Sequence, residues 1–423
     1  MSIMETATLD SGLRIHLVPM EHSYSVGVGL FVRLGSRYES EADGGLSHFI
    51  EHMLFKGTKR RPTAKELSLA IEGIGGIFNA NTGHELTTYW AKVGKVHLEV
   101  AVDVLTDMVH NSLFAENEVE KERRVIVEEI NESLDTPENV VFMMLDELMW
   151  PDHPLGRDIA GTRETVTSIS RSRIVEHWAN FYHPANVVLA VAGPVTMSRV
   201  VDLVSPRMAR WGENGAKTFR PAVPPVPGPK AAIRHRDIEQ AHLCVACPGL
   251  PRQHPDRFVL RMLNAVLGEG MSSRLFLEVR ERQGLAYSVY SYTAFLSDSG
   301  ALVTYAGVDP RQASNALAAI LGEWDRLRQE PVGEEELAKA KEFVKGRTLL
   351  RLEDSYANAA WVGVQSSLDD RVETVEAVLR QVDEVTPADV QRVAQDVLCG
   401  DRLRLAIIGP LPEDEDWTRS LRF

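Results

Sequence analysis

Two histidines and a glutamate in one short stretch offer the most specific chemistry in the chain: His48, Glu51 and His52, within Gly44-Gly45-Leu46-Ser47-His48-Phe49-Ile50-Glu51-His52-Met53-Leu54-Phe55. On a helix, residues four apart share a face, so the two imidazoles can reach one metal ion. Neutral imidazole is a favoured zinc ligand. Glu51, three residues after His48, lies beside the same ion without having to bind it. A carboxylate there can take a proton from a water whose pKa zinc lowers to about 7. The pattern reads H-x-x-E-H, the carboxylate immediately before the second histidine. An amphipathic helix with no metal is the competing reading of the stretch alone.

The elements around it follow from local signals. Leu13–Val18 alternates and Ser25–Val32 is rich in strand formers, predicting a first strand pair. A second helix is predicted from Thr63, an N-cap after Pro62 with Glu66 at the capping-box position, to Glu72 before Gly73, Gly75 and Gly76. Two strands around Gly83 follow, over residues 77–93. The first carries Asn79, Ala80 and Asn81, small and polar for a buried strand. An edge strand with free backbone groups can pair with an extended peptide, giving affinity that tolerates sequence; a plain solvated edge is the alternative. Helices are predicted over 97–111 and 115–134. The latter places Glu122, Val125, Ile126 and Glu129 on one stripe, and acids on an apolar stripe need a partner such as a metal if they are buried. Helices over 140–150, 172–182 and 196–210 and a buried strand over 187–193 complete the first half.

The chain of 423 residues is 44% hydrophobic and 25% charged, an ordinary globular balance. A formal net charge of -14 argues against nucleic-acid binding and suits basic partners or substrates. The acidic run Glu116, Glu118, Glu120, Glu122, Glu128, Glu129 and Glu132 points the same way, although a solvated helix face accounts for most of it. No apolar run approaches the ~18 residues of a membrane helix, and the first residues resemble neither a secretory nor a transit segment. Three cysteines are too few for a disulfide framework, so a cytoplasmic protein with no membrane partner is expected. Cys244 and Cys247 form a C-x-x-C, but the surrounding run reads as a buried strand and no second pair completes a zinc site. Cys399 reads as core.

A Pro/Gly-rich stretch at 212–232 reads as a semi-rigid linker between an N-terminal domain, 1–211, and a C-terminal domain, 233–423. The second half repeats the order of the first: strand 243–246, helices 256–267 and 273–281, paired strands 287–292 and 301–306, helices 312–328 and 333–352, and a closing strand 403–409. The expected class is α+β, two duplicated α/β-roll domains with mixed sheets flanked by helices, facing each other as a clamshell. Where the first half carries H-x-x-E-H, the second has Phe258-Val259-Leu260-Arg261-Met262-Leu263-Asn264, with no ligands. One half would do chemistry and the other hold substrate.

Together these residues resemble the pitrilysin-type inverted zincins, above all bacterial peptidases similar to the catalytic subunit of mitochondrial processing peptidase. The resemblance spans nearly the whole chain. It rests on the H-x-x-E-H stretch with Phe55-Lys56-Gly57-Thr58, on Gly75-Gly76-Ile77-Phe78-Asn79-Ala80 with Glu85-Leu86-Thr87-Thr88-Tyr89, on residues 122–130, and on Ser273-Arg274-Leu275-Phe276 with Gly284-Leu285-Ala286-Tyr287. It implies a third zinc ligand 77 positions after the second histidine, which is Glu129 and not its neighbour Glu128. It also implies a supporting glutamate at Glu122, and an Arg and a Tyr, Arg280 and Tyr287, that reach the substrate carbonyl. A surface salt bridge and an ordinary strand aromatic are the bland readings of that last pair.

The implied protein is a zinc endopeptidase with one Zn²⁺ per chain. It would act on peptides or unfolded segments as a homodimer, with Glu51 activating the attacking water. Non-catalytic respiratory-complex subunits share this fold but lose the metal and base residues, all four of which are present here. The short Gly268-Glu269-Gly270-Met271 also departs from the long glycine-rich loop of the non-catalytic processing-peptidase subunit. A zinc-retaining clamp that binds peptides without cleaving them is the remaining alternative.

Overall fold

A computed structural model describes residues 4–208, 211, 218–223, 227–228, 230–369, 371–411 and 416–423. Much of the expected linker, including 212–217 and 224–226, lies outside the described residues. The first sheet contains β1 (Glu5–Thr8), β2 (Arg14–Pro19), β3 (Ser25–Val32), β4 (Ile77–Thr82), β5 (Thr87–Gly94) and β6 (Val187–Gly193), in the order β1-β2-β6-β3-β5-β4. The second contains β7 (Lys230–His235), β8 (Ala241–Pro248), β9 (Ala286–Phe295), β10 (Gly300–Val308) and β11 (Arg404–Gly409), in the order β7-β11-β8-β10-β9. Without β1, the two orders are the same. So are the directions: β2 runs parallel to β6 as β7 does to β11, and the other neighbours are antiparallel. The duplication expected from the sequence is therefore present strand for strand. β1 and β7, short and largely exposed, carry no alternation that the sequence could announce.

The two compact units are each built from three segments: Met1–Asn131, Asp158–Arg220 and Leu349–Val372 in one, Glu132–Arg157, Pro221–Thr348 and Glu373–Phe423 in the other. A single cut at 212–232 does not reproduce them, because the halves exchange a helix. Helix Pro137–Met149, from the first half, packs on β8 and β11; helix Ser355–Leu368, from the second, packs on β3 and β6.

Strand β3 explains how the exchanged helix fits. Val26, Val28, Leu30 and Val32 enter the main core with the helices of the first half, while Phe31 faces the exchanged helix among Val188, Ala190, Ala359 and Ala360. Gly27 and Gly29 share the Phe31 face, and a Cβ on Gly27 would lie 2.6 Å from the Tyr356 backbone. The strand glycine is there for close backbone approach. Opposite, a Cβ on Gly363 would lie 2.1 Å from the Phe31 ring. Polar contacts fix the register: Ser25 Oγ to Ser355 Oγ at 2.8 Å, His16 Nε2 to Ser366 Oγ at 2.7 Å, an ion pair between Lys92 and Asp354, and Trp90 stacked on Tyr356 at 4.2 Å.

Two cysteine readings resolve here. Cys244 faces helix Pro137–Met149 and Cys247, three positions on, faces the other side of the sheet, so the C-x-x-C cannot act as a pair. Burial pushes both thiols up. Cys399 is half-buried rather than core, its sulfur 2.7 Å from Arg402 Nη2.

Because Phe31 is already seated against the Gly363 backbone, Gly363→Val should destabilise the first unit by about 1–3 kcal/mol or more through overpacking. Chemical denaturation followed by near-ultraviolet circular dichroism would show it. An unchanged midpoint would contradict the close approach.

Candidate metal centre and active site

Helix Leu46–Leu54 starts abruptly because its first residues are held from outside. Gly45 has φ 91°, and a Cβ there would lie 2.3 Å from the Ala160 carbonyl oxygen, so only glycine fits. The buried Glu39 carboxylate accepts from the Gly45 amide at 2.9 Å and the Ser47 amide at 2.6 Å. It satisfies two otherwise orphaned donors and places negative charge at the positive end of the helix dipole. Leu46, Phe49, Ile50, Met53 and Leu54 enter the core, which turns His48, Glu51 and His52 to the opposite face.

Helix Glu116–Asp135 lies against that face. It buries Val119, Glu122, Ile126 and Ile130; of the stripe expected from the sequence, Glu122 and Ile126 are buried, while Val125 is exposed and Glu129 is only partly covered. Glu122 and Glu129, two turns apart, address opposite nitrogens of one imidazole. Glu122 Oε2 is 3.2 Å from His52 Nδ1, and Glu129 Oε2 is 3.4 Å from His52 Nε2. His48 Nε2 completes a triangle, 3.3 Å from His52 Nε2 and 4.0 Å from Glu129 Oε2. Among the described residues this is the group of His, Cys, Asp and Glu side chains placed to hold a metal. Zinc bonds of about 2.0–2.2 Å at tetrahedral angles put donor atoms roughly 3.3–3.6 Å apart. The two imidazoles and the carboxylate therefore fit zinc, with the third edge slightly open. Glu128 points to solvent, as do Glu116, Glu120 and Glu132; Glu118 and Glu120 pair with Lys121 and Arg123.

Electrostatics support that fit. Burial, then the charge of His52, lowers the His48 pKa to about 4, so His48 is neutral and able to bind a metal at ordinary pH. Burial works to raise the Glu122 carboxyl, but hydrogen bonds from His52 and Lys56 outweigh it and hold Glu122 low and ionised. Lys56 Nζ lies 2.7 Å from Glu122 Oε1. The segment after Lys56 is tied down in turn: Thr58 donates to buried Asp107 at 2.6 Å, and Arg60 and Arg61 pair with Asp103 and Asp107. Glu51, beside the triangle, accepts a hydrogen bond from the Thr82 hydroxyl. Burial pushes the Glu51 carboxyl up, opposed mainly by that bond.

Strand β4 is the free edge of its sheet, with Asn79 and Asn81 exposed and Phe78, Ala80 and Thr82 turned inward. The Ala80 amide is engaged by its neighbour's Asn79 Oδ1 at 2.8 Å. Arg280 and Tyr287 lie in the second unit and come together there, the guanidinium 5.5 Å from the Tyr287 ring centroid and 4.9 Å from that of Phe276. Arg280 sits on a π-helical stretch, Phe276–Arg282, where an ordinary helix was expected. Such stretches are rare and concentrate at functional sites. Arg274 anchors its start through a two-pronged ion pair with Glu336 at 2.8 Å. Tyr287 is 77% exposed, so it is not a core aromatic.

Sequence reasoning assigned no role to Glu39, Lys56 or Thr82. Lys56 had a signal, standing in the Phe55-Lys56-Gly57-Thr58 motif just past the end of the histidine helix. Thr82 had a weaker one, two residues after Ala80 on the inward side of β4. Glu39 had none, because its partners are fixed by the turn between them.

Replacing Glu122 with Gln should weaken zinc binding about 10–100-fold, since the carboxylate fixes the ring and tautomer of His52. Competition against a chromophoric chelator measures this. Wild-type affinity in Glu122→Gln would remove Glu122 from the site.

Comparison with known proteins gives a consistent picture. Residues 16–163 match the family model described as Insulinase (Peptidase family M16), and residues 168–344 match Peptidase M16 inactive domain. An uncharacterized zinc protease of Streptomyces coelicolor is 38% identical over 96% of this chain and 90% of its own length. One of Bacillus subtilis is 36% identical over 95% and 97%. Among solved structures, a protease from Helicobacter pylori superposes with a TM-score of 0.91 at 23% identity, covering 97% of this chain and all of that one. A chain of complex III2 from Candida albicans gives 0.85 at 18%, covering 99% and 98%. The last two likenesses concern fold alone.

Proposed function

Since the chain belongs to peptidase family M16, we propose that it is a zinc metallopeptidase acting as an endopeptidase on peptides and unfolded segments, in the manner of processing peptidases. The observation that carries the reading is the convergence of His48, His52 and Glu129 donor atoms beside Glu51. His48, His52 and Glu129 would hold the zinc, one per chain. Zinc bound there supplies a water acidic enough to ionise near neutral pH and polarises a substrate carbonyl.

The remaining steps belong to side chains of this protein. Glu51 takes the proton from the attacking water and returns it to the leaving amine nitrogen. Its raised pKa suits both halves of that transfer, because a carboxyl tuned upward both holds and releases a proton. Glu122 accepts from His52 Nδ1 and keeps the ring aimed. Asn79, Ala80 and Asn81 on the open edge of β4 pair with the extended substrate backbone, which makes extension matter more than side-chain identity. For that pairing the Asn79 side chain must swing off the Ala80 amide. Arg280 and Tyr287 donate to the substrate carbonyl as negative charge develops.

Retention of His48, Glu51, His52 and Glu129 separates this reading from a non-catalytic subunit on the same fold. No helix among the described residues is long and apolar enough to cross a membrane. We place the protein in the cytoplasm as a homodimer, in keeping with its free cysteines and its resemblance to processing peptidases.

Glu51→Gln should keep its zinc and lose peptide hydrolysis by about 10²–10⁴-fold. Metal analysis and a fluorogenic peptide assay on the same preparations test this, with mass spectrometry of the products reading internal cleavage. Hydrolysis by Glu51→Gln at the wild-type rate would overturn the reading.

A further inference from the structure

Glu51 stands on the helix Leu46–Leu54, but what holds its carboxylate is on the sheet. The Thr82 hydroxyl donates to Glu51 Oε2. Thr82 is the last residue of β4, paired with Thr87 and buried, with 8% of its surface exposed. Thr87 is fixed in turn, its hydroxyl donating to the Leu34 carbonyl at 3.0 Å. A glutamate side chain has three rotatable bonds, and a base that must meet a water at one point gains from a fixed donor. The same short strand presents Asn79 and Asn81 outward along the open edge of the sheet.

We propose that Thr82 is a positioning residue that aims the Glu51 carboxylate, and that it ties this aim to the strand on which the substrate backbone docks. The inference rests on Glu51 being the general base proposed above. The Thr82 hydroxyl has one proton, and giving it to Glu51 Oε2 fixes the plane of the carboxylate. Because β4 carries both this donor and the free edge, a substrate paired in register steadies Thr82 and with it the base. Placing the donor on the substrate strand, rather than on the helix of the base, makes docking and aiming one event.

The test compares Thr82→Val, which keeps the shape and removes the hydroxyl, with Thr82→Ser, which keeps the hydroxyl. Thr82→Val should bind zinc and melt as the wild type does, with kcat about 10–100-fold lower and KM little changed. Thr82→Ser should recover most of the lost kcat. Thr82→Val at wild-type kcat, or Thr82→Ser as impaired as Thr82→Val, would overturn the proposal. A crystal structure of Thr82→Val gives a readout independent of turnover: a displaced Glu51 carboxylate supports the positioning role and an unmoved one refutes it. Failure of the peptidase reading shows separately, as equal hydrolysis by wild type and Glu51→Gln, and the Glu51 position still decides the role of Thr82.

Discussion

One imidazole held between two carboxylates is the constraint on which the first unit is organised. Glu122 and Glu129, seven residues apart on one helix, reach the two nitrogens of His52 on another. Neither helix can slide or roll without losing one of those contacts, so the site requires both to be fixed at their ends. Glu39 fixes the start of the histidine helix from outside. After its end, Lys56 reaches back to Glu122, and the ion pairs of Arg60 and Arg61 with Asp103 and Asp107 hold the following turn. Polar groups this deeply buried are tolerable because each has a charged or hydrogen-bonding partner. His48 is an exception: its Nδ1 is buried with no hydrogen-bond partner among the described residues, as is the neighbouring Ser47 Oγ.

Duplication supplies the frame, and the two halves diverge where chemistry is concerned. Both sheets have the same strand order and directions, yet helix Arg257–Gly268 of the second half buries nearly every side chain and carries Asn264 rather than a ligand. Each sheet takes the cover for one of its faces from the other half of the chain. The apolar faces of helices Pro137–Met149 and Ser355–Leu368 are satisfied only after the whole chain has been made. Such non-local contacts slow folding relative to local ones, and they bind the two halves of the sequence into units that neither completes alone.

The site was legible in the sequence where chemistry imposes spacing along a helix. His48, Glu51 and His52 sit where their spacing and an amphipathic helix place them, and Glu129 arrives by resemblance at the third corner. Local signals also held: Thr63 caps its helix with Glu66 closing the capping box, and the small polar strand of Asn79 is a sheet edge. What escaped depends on contacts distant in sequence. Gly27 makes a close approach to the Tyr356 backbone, and nothing near it in sequence says that a helix more than 300 residues away comes there. No periodicity reveals that the helix under Arg280 is a π-helical stretch.

The most direct measurement of the central claim is zinc K-edge X-ray absorption on the metal-loaded protein. Two imidazole nitrogens at about 2.0–2.1 Å and oxygen ligands at about 2.0–2.2 Å, with one zinc per chain, are expected from His48, His52 and Glu129. Sulfur scattering near 2.3 Å, or a first shell without imidazole, would place the metal elsewhere and contradict the site.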